Sequence, residues 1–245
     1  MPTDDAVVTA MLRFGGLSSS DVVYDLGCGD GRIVIAAARQ FGAHGVGVDI
    51  DPLRVAESRE NAAKARVGDK VRFLCQSFFE TDLRPATVVM LYLLPSINIR
   101  LRPKLLEELR PGARIIANHF EIGDWQPDMT ADVHHRTLRQ WVVPARVTGI
   151  WKCVVNDPAG RYHLRLSLNR RYQIVTGSAR IGRRDVPIAN GRLFGEHLTF
   201  KLIDWERSAG PKWFSCLVEP NHLRGACHAD ATGQTPPVPW GGSRL

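Results

Sequence analysis

The stretch Asp25-Leu26-Gly27-Cys28-Gly29-Asp30-Gly31-Arg32 decides how this chain is expected to fold. It follows a β-branched run at residues 22–26 and leads into a helical pattern over residues 31–41. Glycines at such a junction permit positive φ and a close approach of the backbone to a ligand, and a helix start offers free N–H groups. The stretch therefore predicts a strand, a ligand-binding loop and a helix.

The spacing of the glycines excludes two familiar loops. A dinucleotide-binding loop would place its third glycine at position 32, which is Arg32 here, and a P-loop would need Gly-Lys-Ser/Thr. Asp49 ends the next strand-like run, eighteen residues beyond Gly31. A carboxylate at that position can accept hydrogen bonds from both hydroxyls of a ribose. The glycine loop and Asp49 together predict a nucleoside-bearing ligand without a pyrophosphate group.

Strand-like runs alternate with helical patterns through the first half of the chain. The runs lie at residues 22–26, 45–49, 71–74, 87–91 and 113–117, and the helical patterns at 31–41, 52–66 and 96–109. The second helical pattern begins with Asp51-Pro52, a capping residue followed by proline. Continuously apolar strands that alternate with helices predict an α/β fold, with a parallel sheet covered on both faces.

The second half of the chain has the period-two pattern of half-buried strands. Leu164, Leu166 and Leu168 alternate with polar residues, and similar runs follow at 171–181, 192–204 and 213–226. Turn signals such as Asn190-Gly191 separate the runs. This pattern predicts a small antiparallel β-rich domain, formed as a meander, a small barrel or a curved sheet.

These patterns divide the chain into three predicted segments. Residues 1–155 form the α/β domain and residues 156–230 the antiparallel β domain, with a turn-rich boundary near residues 156–160. Residues 231–245 are rich in proline and glycine and have no core pattern, so we expect a flexible tail.

The first segment resembles the class I S-adenosylmethionine-dependent methyltransferases. Residues 25–31 match their first motif, and Asp49 matches their ribose-binding acid. Within that class the chain is similar to a bacterial and archaeal group related to the FAM173-type protein lysine methyltransferases. That similarity covers about residues 2–145 and is carried further by Pro2-Thr3, Val7-Val8, Met11-Leu12, Leu91-Tyr92-Leu93-Leu94-Pro95, residues 109–114, and Phe120 with Trp125. It implies a methyltransferase with a Rossmann-like seven-strand sheet and S-adenosyl-L-methionine as cofactor.

The resemblance also implies which residues bind the cofactor. Asp25 and the glycine loop would hold the methionine portion, and Asp49 the ribose. Many relatives have an acid after the third strand for the adenine, whereas this chain has Ser77, whose hydroxyl can still hydrogen-bond the adenine amine. The expected cofactor-binding set is Thr3, Asp25, Gly27, Cys28, Gly29, Gly31, Asp49, Ile50, Ser77, Phe78 and Tyr92.

The methyl acceptor is expected beside the end of the fourth strand, at residues 92–96. The Asn/Asp-Pro-Pro-Tyr/Phe motif of enzymes that methylate exocyclic amines or amides is missing there. No cysteine for cytosine C5 methylation is near either. Both chemistries are therefore disfavoured, and the resemblance favours a protein lysine or another amine as acceptor.

Four residues are candidates for binding or deprotonating that amine. Tyr92, Phe120 and Trp125 could hold its cation through cation–π attraction, and His119 could act as a base near neutral pH. Two alternatives stay open at this point. Phe120 and Trp125 also fit ordinary core packing, and His119 also fits a hydrogen-bonded structural role.

The net charge of +7 belongs to one part of the chain. Residues 1–145 contain 17 basic and 18 acidic residues, whereas residues 146–245 contain 15 basic and 7 acidic ones, a net charge of +8. Arginines interleaved with aromatic residues can contact a phosphate backbone or an acidic protein. The arginines also occupy outward positions of the alternating pattern, as on a solvated sheet face. Nucleic-acid binding through this part is therefore possible but not required.

Other features predict the compartment and the absence of a metal. No run of about 18 apolar residues is present, which argues against a membrane span, and the N-terminus lacks the layout of a secretory signal. Five cysteines without paired spacing fit reduced thiols, so we expect a cytoplasmic protein. His134-His135 and Cys227-His228 have no second pair at zinc spacing, and no metal site is predicted.

The sequence thus predicts an S-adenosylmethionine-dependent methyltransferase that acts on a protein lysine or another amine. An RNA or small-molecule methyltransferase is the alternative among enzymes. A cofactor-binding regulatory or interaction protein without turnover is the alternative of another class, since the glycine loop and Asp49 bear on binding more than on catalysis.

Overall fold

The computed structural model describes residues 3–133, 135–157, 160–203, 205, 210–229 and 236–245. They form two compact units, Met1–Val143 and Pro144–Leu245. This division precedes the predicted boundary at residue 155, because Gly149–Asp157 is a strand of the second unit. His134 and residues 231–235 of the predicted tail lie outside the described residues.

The first unit is a sheet with helices, as predicted. Its helices are α1 (Asp5–Phe14), α2 (Arg32–Phe41), α3 (Pro52–Lys64) and α4 (Pro95–Glu108). Its strands are β1 (Val22–Leu26), β2 (His44–Asp49), β3 (Val71–Cys75), β4 (Val88–Leu91), β5 (Arg114–Asn118), β6 (Met129–Val133) and β7 (Arg136–Val142). The strand order is β3-β2-β1-β4-β5-β7-β6, with β1 to β5 parallel and β7 antiparallel to both neighbours. The Rossmann-like seven-strand sheet is confirmed.

Local sequence explains where the helices begin. The Asp51 side chain accepts a hydrogen bond from the Leu53 N–H at 2.9 Å, and Pro52 occupies the first turn of α3. At α1 the Asp4 side chain accepts from the Ala6 N–H at 2.8 Å. Helix α1 lies outside the predicted helical patterns; its buried face, with Met11 and Leu12 fully inaccessible, joins the core on one side of the sheet.

The second unit is a closed antiparallel barrel. Its strands are β8 (Gly149–Asp157), β9 (Gly160–Arg171), β10 (Ile174–Ile181), β11 (Arg184–Phe194), β12 (His197–Leu202), β13 (Lys212–Val218), β14 (His222–His228) and β15 (Val238–Arg244). They close in the order β10-β11-β12-β13-β14-β15-β8-β9. Leu164, Leu166 and Leu168 point inward, as their alternation predicts. The predicted antiparallel β domain is confirmed, and the run 213–226 is a hairpin of β13 and β14 rather than one strand.

Strand β15 lies within the segment that we expected to be a flexible tail. It pairs with β14 on one side and β8 on the other, and so closes the barrel. A Cβ at Gly242 would lie 2.4 Å from Cys153 Sγ and 2.7 Å from the Lys152 carbonyl oxygen. Glycine is required here because two strands approach closely, so a composition typical of a loose tail belongs to a barrel strand.

No helix in the described part of the chain has the length and apolar character needed to cross a membrane. All five cysteines are free thiols, and four of them are buried.

Candidate active site

The glycine loop turns tightly between β1 and α2. Gly27, Gly29 and Gly31 have φ of +85°, +53° and +80°, and the Gly27 N–H donates to the Val48 carbonyl oxygen at 2.8 Å. A Cβ at Gly31 would lie 2.7 Å from the Phe73 ring, whereas no atom lies within 4 Å of one built at Gly29. Gly31 is therefore required for packing of the loop on the sheet, and Gly29 borders open space that a ligand can enter.

Asp25 and Asp49 flank this loop. Asp25 is 3% exposed, and its burial, with smaller contributions from the charges of Asp49 and Asp30, raises its pKa to about 7. Asp49 accepts the Gly29 N–H on Oδ2 at 2.9 Å and the Asp51 N–H on Oδ1 at 3.1 Å. Asp49 thus ties the glycine loop to the turn before α3, with its carboxylate beside the loop.

A cavity of about 250 Å³ opens at the loop. It is lined by Thr3, Asp25, Gly27, Cys28, Gly29, Asp30, Arg32, Ile33, Arg54 and Tyr92. Six of these belong to the predicted cofactor-binding set, so the fold brings together residues that are far apart in sequence. A cavity bordered by an open glycine, the start of a helix and a carboxylate suits the polar methionine end of S-adenosylmethionine.

Arg32 is a part of the cavity wall for which the sequence predicted no role. Its Nη2 lies 2.5 Å from Asp30 Oδ2, and its Nη1 donates to the Thr3 carbonyl oxygen at 2.6 Å. The guanidinium lowers the pKa of Asp30 and keeps it ionised. Arg32 therefore holds the N-terminal residue Thr3 against the glycine loop. Its place immediately after Gly31 is the only signal for it in the sequence.

The residues predicted for the adenine lie on the other strand ends. Ile50 is 74% exposed directly after Asp49, and the Gln76 N–H donates to the Asp49 carbonyl oxygen at 3.0 Å. That bond places the segment with Ser77 and Phe78 near Asp49. Ser77 Oγ accepts the Phe79 N–H at 3.2 Å, so its hydroxyl caps its own turn. Their contact with adenine stays a prediction.

Tyr92 and Phe120 form a pair of stacked rings beside the cavity. Their centroids are 6.0 Å apart and their planes differ by 19°. The Arg136 guanidinium carbon lies 6.0 Å from the centroid of the Tyr92 ring, at the outer limit of a cation–π contact. Tyr92 also lines the cavity, so the ring pair borders the space at the glycine loop.

His119 is exposed and has a φ of +72°, unusual for a residue with a side chain. Its N–H donates to the Thr137 carbonyl oxygen at 2.9 Å, and its own carbonyl accepts from Arg139 Nη1 at 2.6 Å. These bonds stabilise the turn that presents Phe120, whose ring meets that of His119 edge-on at 5.0 Å. A role as base stays a prediction.

Trp125 belongs to the core. It is 1% exposed, its ring lies 6.2 Å from that of Trp141, and its carbonyl accepts the Trp141 indole N–H at 2.8 Å. The Trp125 ring is therefore packed among other core side chains. The structure thus agrees with the core-packing alternative for Trp125. The two partly exposed rings are those of Tyr92 and Phe120.

Cys28 lines the cavity but is only 5% exposed, and burial raises the pKa of its thiol well above the usual range. It is a spacer in the loop rather than a nucleophile. Among the described residues no three His, Cys, Asp or Glu side chains converge as a metal site would need. Cys227 is fully buried inside the barrel.

Comparison with known proteins places this site in a family. A family model described as the ANTKMT methyltransferase domain matches residues 25–129. A protein-lysine N-methyltransferase of Saccharolobus islandicus is 44% identical over 143 residues, which is 58% of this chain and 89% of that protein. An adenine nucleotide translocase lysine N-methyltransferase of Mus musculus is 34% identical over 51% of this chain, which spans about half (54%) of that protein.

A solved structure is similar over the same share of the chain. It is described as an RNA methyltransferase from Salinibacter ruber in complex with S-adenosyl-L-homocysteine. The two chains share 48% identity with a TM-score of 0.59, over 60% of this chain and 96% of that one. The relatives thus carry the sheet unit, and their names include both lysine and RNA as acceptors.

Proposed function

This chain belongs to the ANTKMT-type family of S-adenosylmethionine-dependent methyltransferases, and from that premise we propose that it methylates the ε-amine of lysine in proteins. The observation that carries the proposal is the stacked pair Tyr92 and Phe120 beside the loop cavity. Accessible ring faces attract an ammonium group and leave a neutral amine room to approach. The archaeal and mouse relatives named as lysine methyltransferases support the same acceptor.

We propose that the cofactor is held by residues of the first unit. Asp49 receives the ribose hydroxyls, while Asp25 and the start of α2 hold the methionine end in the cavity at the glycine loop. Arg32 keeps Thr3 over the loop and narrows the entrance. When bound, S-adenosylmethionine supplies a methyl group on a positively charged sulfur, which is strongly electrophilic.

The transfer itself requires position more than acid–base help. With the cofactor bound, the neutral lysine amine would take the methyl group from the sulfonium and leave a neutral thioether. Water or His119 would accept the proton that the methylated ammonium releases. Tyr92 and Phe120 would hold the amine against their rings, in position for in-line transfer. The product cation is stabilised by the same rings.

An RNA acceptor is the second candidate, and one observation favours it. The Salinibacter chain, 48% identical, is described as an RNA methyltransferase. The barrel, which carries most of the arginines of this chain's basic half, would then bind the phosphate backbone. Such binding weakens steeply as salt is raised, so salt-independent or undetectable RNA affinity contradicts this candidate.

Transfer of labelled methyl groups into a cell lysate tests the proposal. The wild-type chain with methyl-labelled S-adenosylmethionine is expected to label protein, at lysine residues identified by mass spectrometry. Label found only in RNA contradicts the lysine proposal. Absence of label in every fraction, with the cofactor bound, favours a binding protein without turnover.

Variants at Tyr92 test the role of the ring. Tyr92→Phe keeps the ring face and is expected to retain most of the transfer rate, whereas Tyr92→Ala is expected to reduce it by on the order of 10-fold or more. Leu94→Ala is the matched control, because the Leu94 side chain is 59% exposed and its shortening leaves the ring in place. Equal loss in Tyr92→Phe and Tyr92→Ala would point to the hydroxyl instead.

We further propose that the protein works in the cytoplasm. Its five free thiols, including the exposed Cys75, suit a reducing compartment. Fractionation of cells that express the chain, followed by immunodetection, tests this placement.

A further inference from the structure

The register of the parallel strands places Asn118 beside Tyr92. Leu91 of β4 pairs with Ala117 of β5, and continuing this register by one residue sets Tyr92 opposite Asn118. Parallel neighbours in register present their side chains on the same face, about 4.8 Å apart. This extension of the register assigns Asn118, the last residue of β5, to the same sheet face as Tyr92, which lines the cavity.

The amide of Asn118 is buried without a partner for its oxygen. The residue is 1% exposed, and no group in the described part of the chain donates a hydrogen bond to its Oδ1. An unsatisfied buried polar atom carries a desolvation cost of about 1–3 kcal/mol, and such atoms are rare in folded proteins. A donor supplied by a bound molecule would remove that cost.

Asn98 of α4 and Gln140 of β7 are the two other buried amides whose oxygen has no partner among the described residues. Asn98 Nδ2 donates to the Glu121 carbonyl oxygen at 3.1 Å, which anchors the segment after β5. Gln140 of β7 also has an unpartnered oxygen, but it pairs with Ile116, one step back from the carboxyl edge, among apolar core residues. Of the three, Asn118 combines an unpartnered oxygen with a place at the strand end where the acceptor is expected.

We propose that Asn118 Oδ1 accepts a hydrogen bond from the methyl-accepting nitrogen and so orients the amine for transfer. This inference deepens the proposed function and rests on it. An amine held by one N–H to Asn118 and by the Tyr92 face has its lone pair free for the methyl carbon. An acceptor oxygen at this place favours a nucleophile that carries hydrogens on nitrogen, and it offers nothing to a thioether or a tertiary amine.

Sinefungin tests the contact without a known substrate. This cofactor analogue carries an amine where S-adenosylmethionine carries its methyl group, whereas S-adenosylhomocysteine has neither. Calorimetry on the full chain is expected to give a sinefungin affinity that falls on the order of 10-fold in Asn118→Ala, because a hydrogen bond to a charged donor is lost. The S-adenosylhomocysteine affinity is expected to change by about two-fold or less, since that ligand places no donor near Asn118.

Two further variants separate contact from structural damage. Asn118→Asp keeps the shape and adds charge, so its preference for sinefungin over S-adenosylhomocysteine is expected to equal or exceed that of the wild type. Gln140→Met, the matched control on the same face of the sheet, is expected to leave both affinities unchanged. Unchanged S-adenosylhomocysteine binding also reports that each variant is folded.

Two results would overturn the inference. One is an Asn118→Ala variant whose two affinities fall equally or not at all. The other is a Gln140→Met variant that loses the same preference. Failure of the lysine proposal is seen elsewhere, as absence of lysine label with the wild-type chain, so the two failures can be told apart. If lysine is labelled, kcat/KM of Asn118→Ala is expected to fall by on the order of 10-fold, and recovery in Asn118→Ser or Asn118→Asp supports the oxygen contact.

Discussion

The carboxyl edge of the sheet and the interior of the barrel are both buried, but they differ in whether their polar groups are paired. In the barrel, the Trp240 indole N–H donates to the carbonyl oxygens of Ser215 and Ala226 at 3.2 and 3.0 Å. At the sheet edge, Asp25 is almost inaccessible with a raised pKa, and Asn118 Oδ1 has no partner in the described chain.

The difference in pairing indicates where a ligand binds. An interior that is close-packed, with its polar groups hydrogen-bonded, is not stabilised further by a small molecule. Its side chains contribute to the stability of the fold. Buried groups that lack partners destabilise the ligand-free protein and are stabilised by a molecule that supplies the missing donor or charge. The sheet edge has such groups around a cavity, whereas the barrel rings pack on one another: Phe200 and Phe214 stack at 4.8 Å, and Trp240 meets both edge-on.

The largest effect is expected from a cavity in the barrel. Trp240→Ala removes a 4%-exposed ring together with its indole N–H hydrogen bonds, so the free energy of unfolding is expected to fall by about 3–5 kcal/mol in denaturant titration. The matched control is Trp213→Ala, a partly exposed ring near Lys201, which is expected to cost less. Affinity for S-adenosylhomocysteine is expected to stay unchanged. Loss of that affinity would contradict the assignment of the barrel interior to stability alone.

The pH dependence of stability tests the buried carboxylate of Asp25. Because burial raises the pKa of Asp25 from 3.8 to about 7, the folded protein binds more protons than the unfolded chain between these values. The stability of the ligand-free protein is therefore expected to fall as pH rises from 4 to 8, by on the order of 3–4 kcal/mol from this group.

Asp25→Asn removes that charge, so the variant is expected to be more stable than the wild type at pH 8 and nearly equal to it at pH 4. Urea titrations at several pH values measure this, with Asp69→Asn at an exposed position as control. A constant difference between variant and wild type across the range would contradict the raised pKa.

Cofactor affinity tests the proposed ribose-binding role of Asp49. Asp49→Ala removes the acceptor of the Gly29 N–H and the acceptor proposed for the ribose hydroxyls, and S-adenosylhomocysteine is expected to bind about 100-fold more weakly. Asp51→Ser is the matched control, since serine can still accept from the Leu53 N–H at the start of α3. Calorimetry decides. An unchanged affinity in Asp49→Ala would remove the central residue of the proposed cofactor site.

The smallest effect is expected on the outside of the barrel. Arg180 and Asp185 form an ion pair between β10 and β11, with both side chains more than half exposed. Exposed pairs contribute little, because water and salt screen them. Arg180→Ala is therefore expected to leave the melting temperature unchanged within error in calorimetry. A clear fall would show that the arginines of this face contribute to stability, contrary to a solvated surface.

Much of the first unit could be predicted, because its signals are local. The glycine loop, the helix starts and the apolar strands predict a parallel sheet, and the strands at 22–26 and 87–91 lie within a residue of β1 and β4. Asp49 was placed beside the loop from its spacing alone, and its bond to Gly29 agrees. Strand β15 was not predicted. Its glycines are required by the close approach of neighbouring strands, which the composition of the segment does not indicate.

The sequence by itself determined the fold class of both units and the place of the glycine loop between β1 and α2. It also indicated Tyr92, at the end of β4, as a candidate site residue. Each of these follows from residues close together in the chain. Only the tertiary structure decided that Trp125 is core, that Arg32 holds Thr3, and that Asn118 is buried at the end of β5 with no partner for its oxygen among the described residues. The physical reason is that burial and pairing depend on strand register and on which distant segments cover a side chain. No local pattern contains that information.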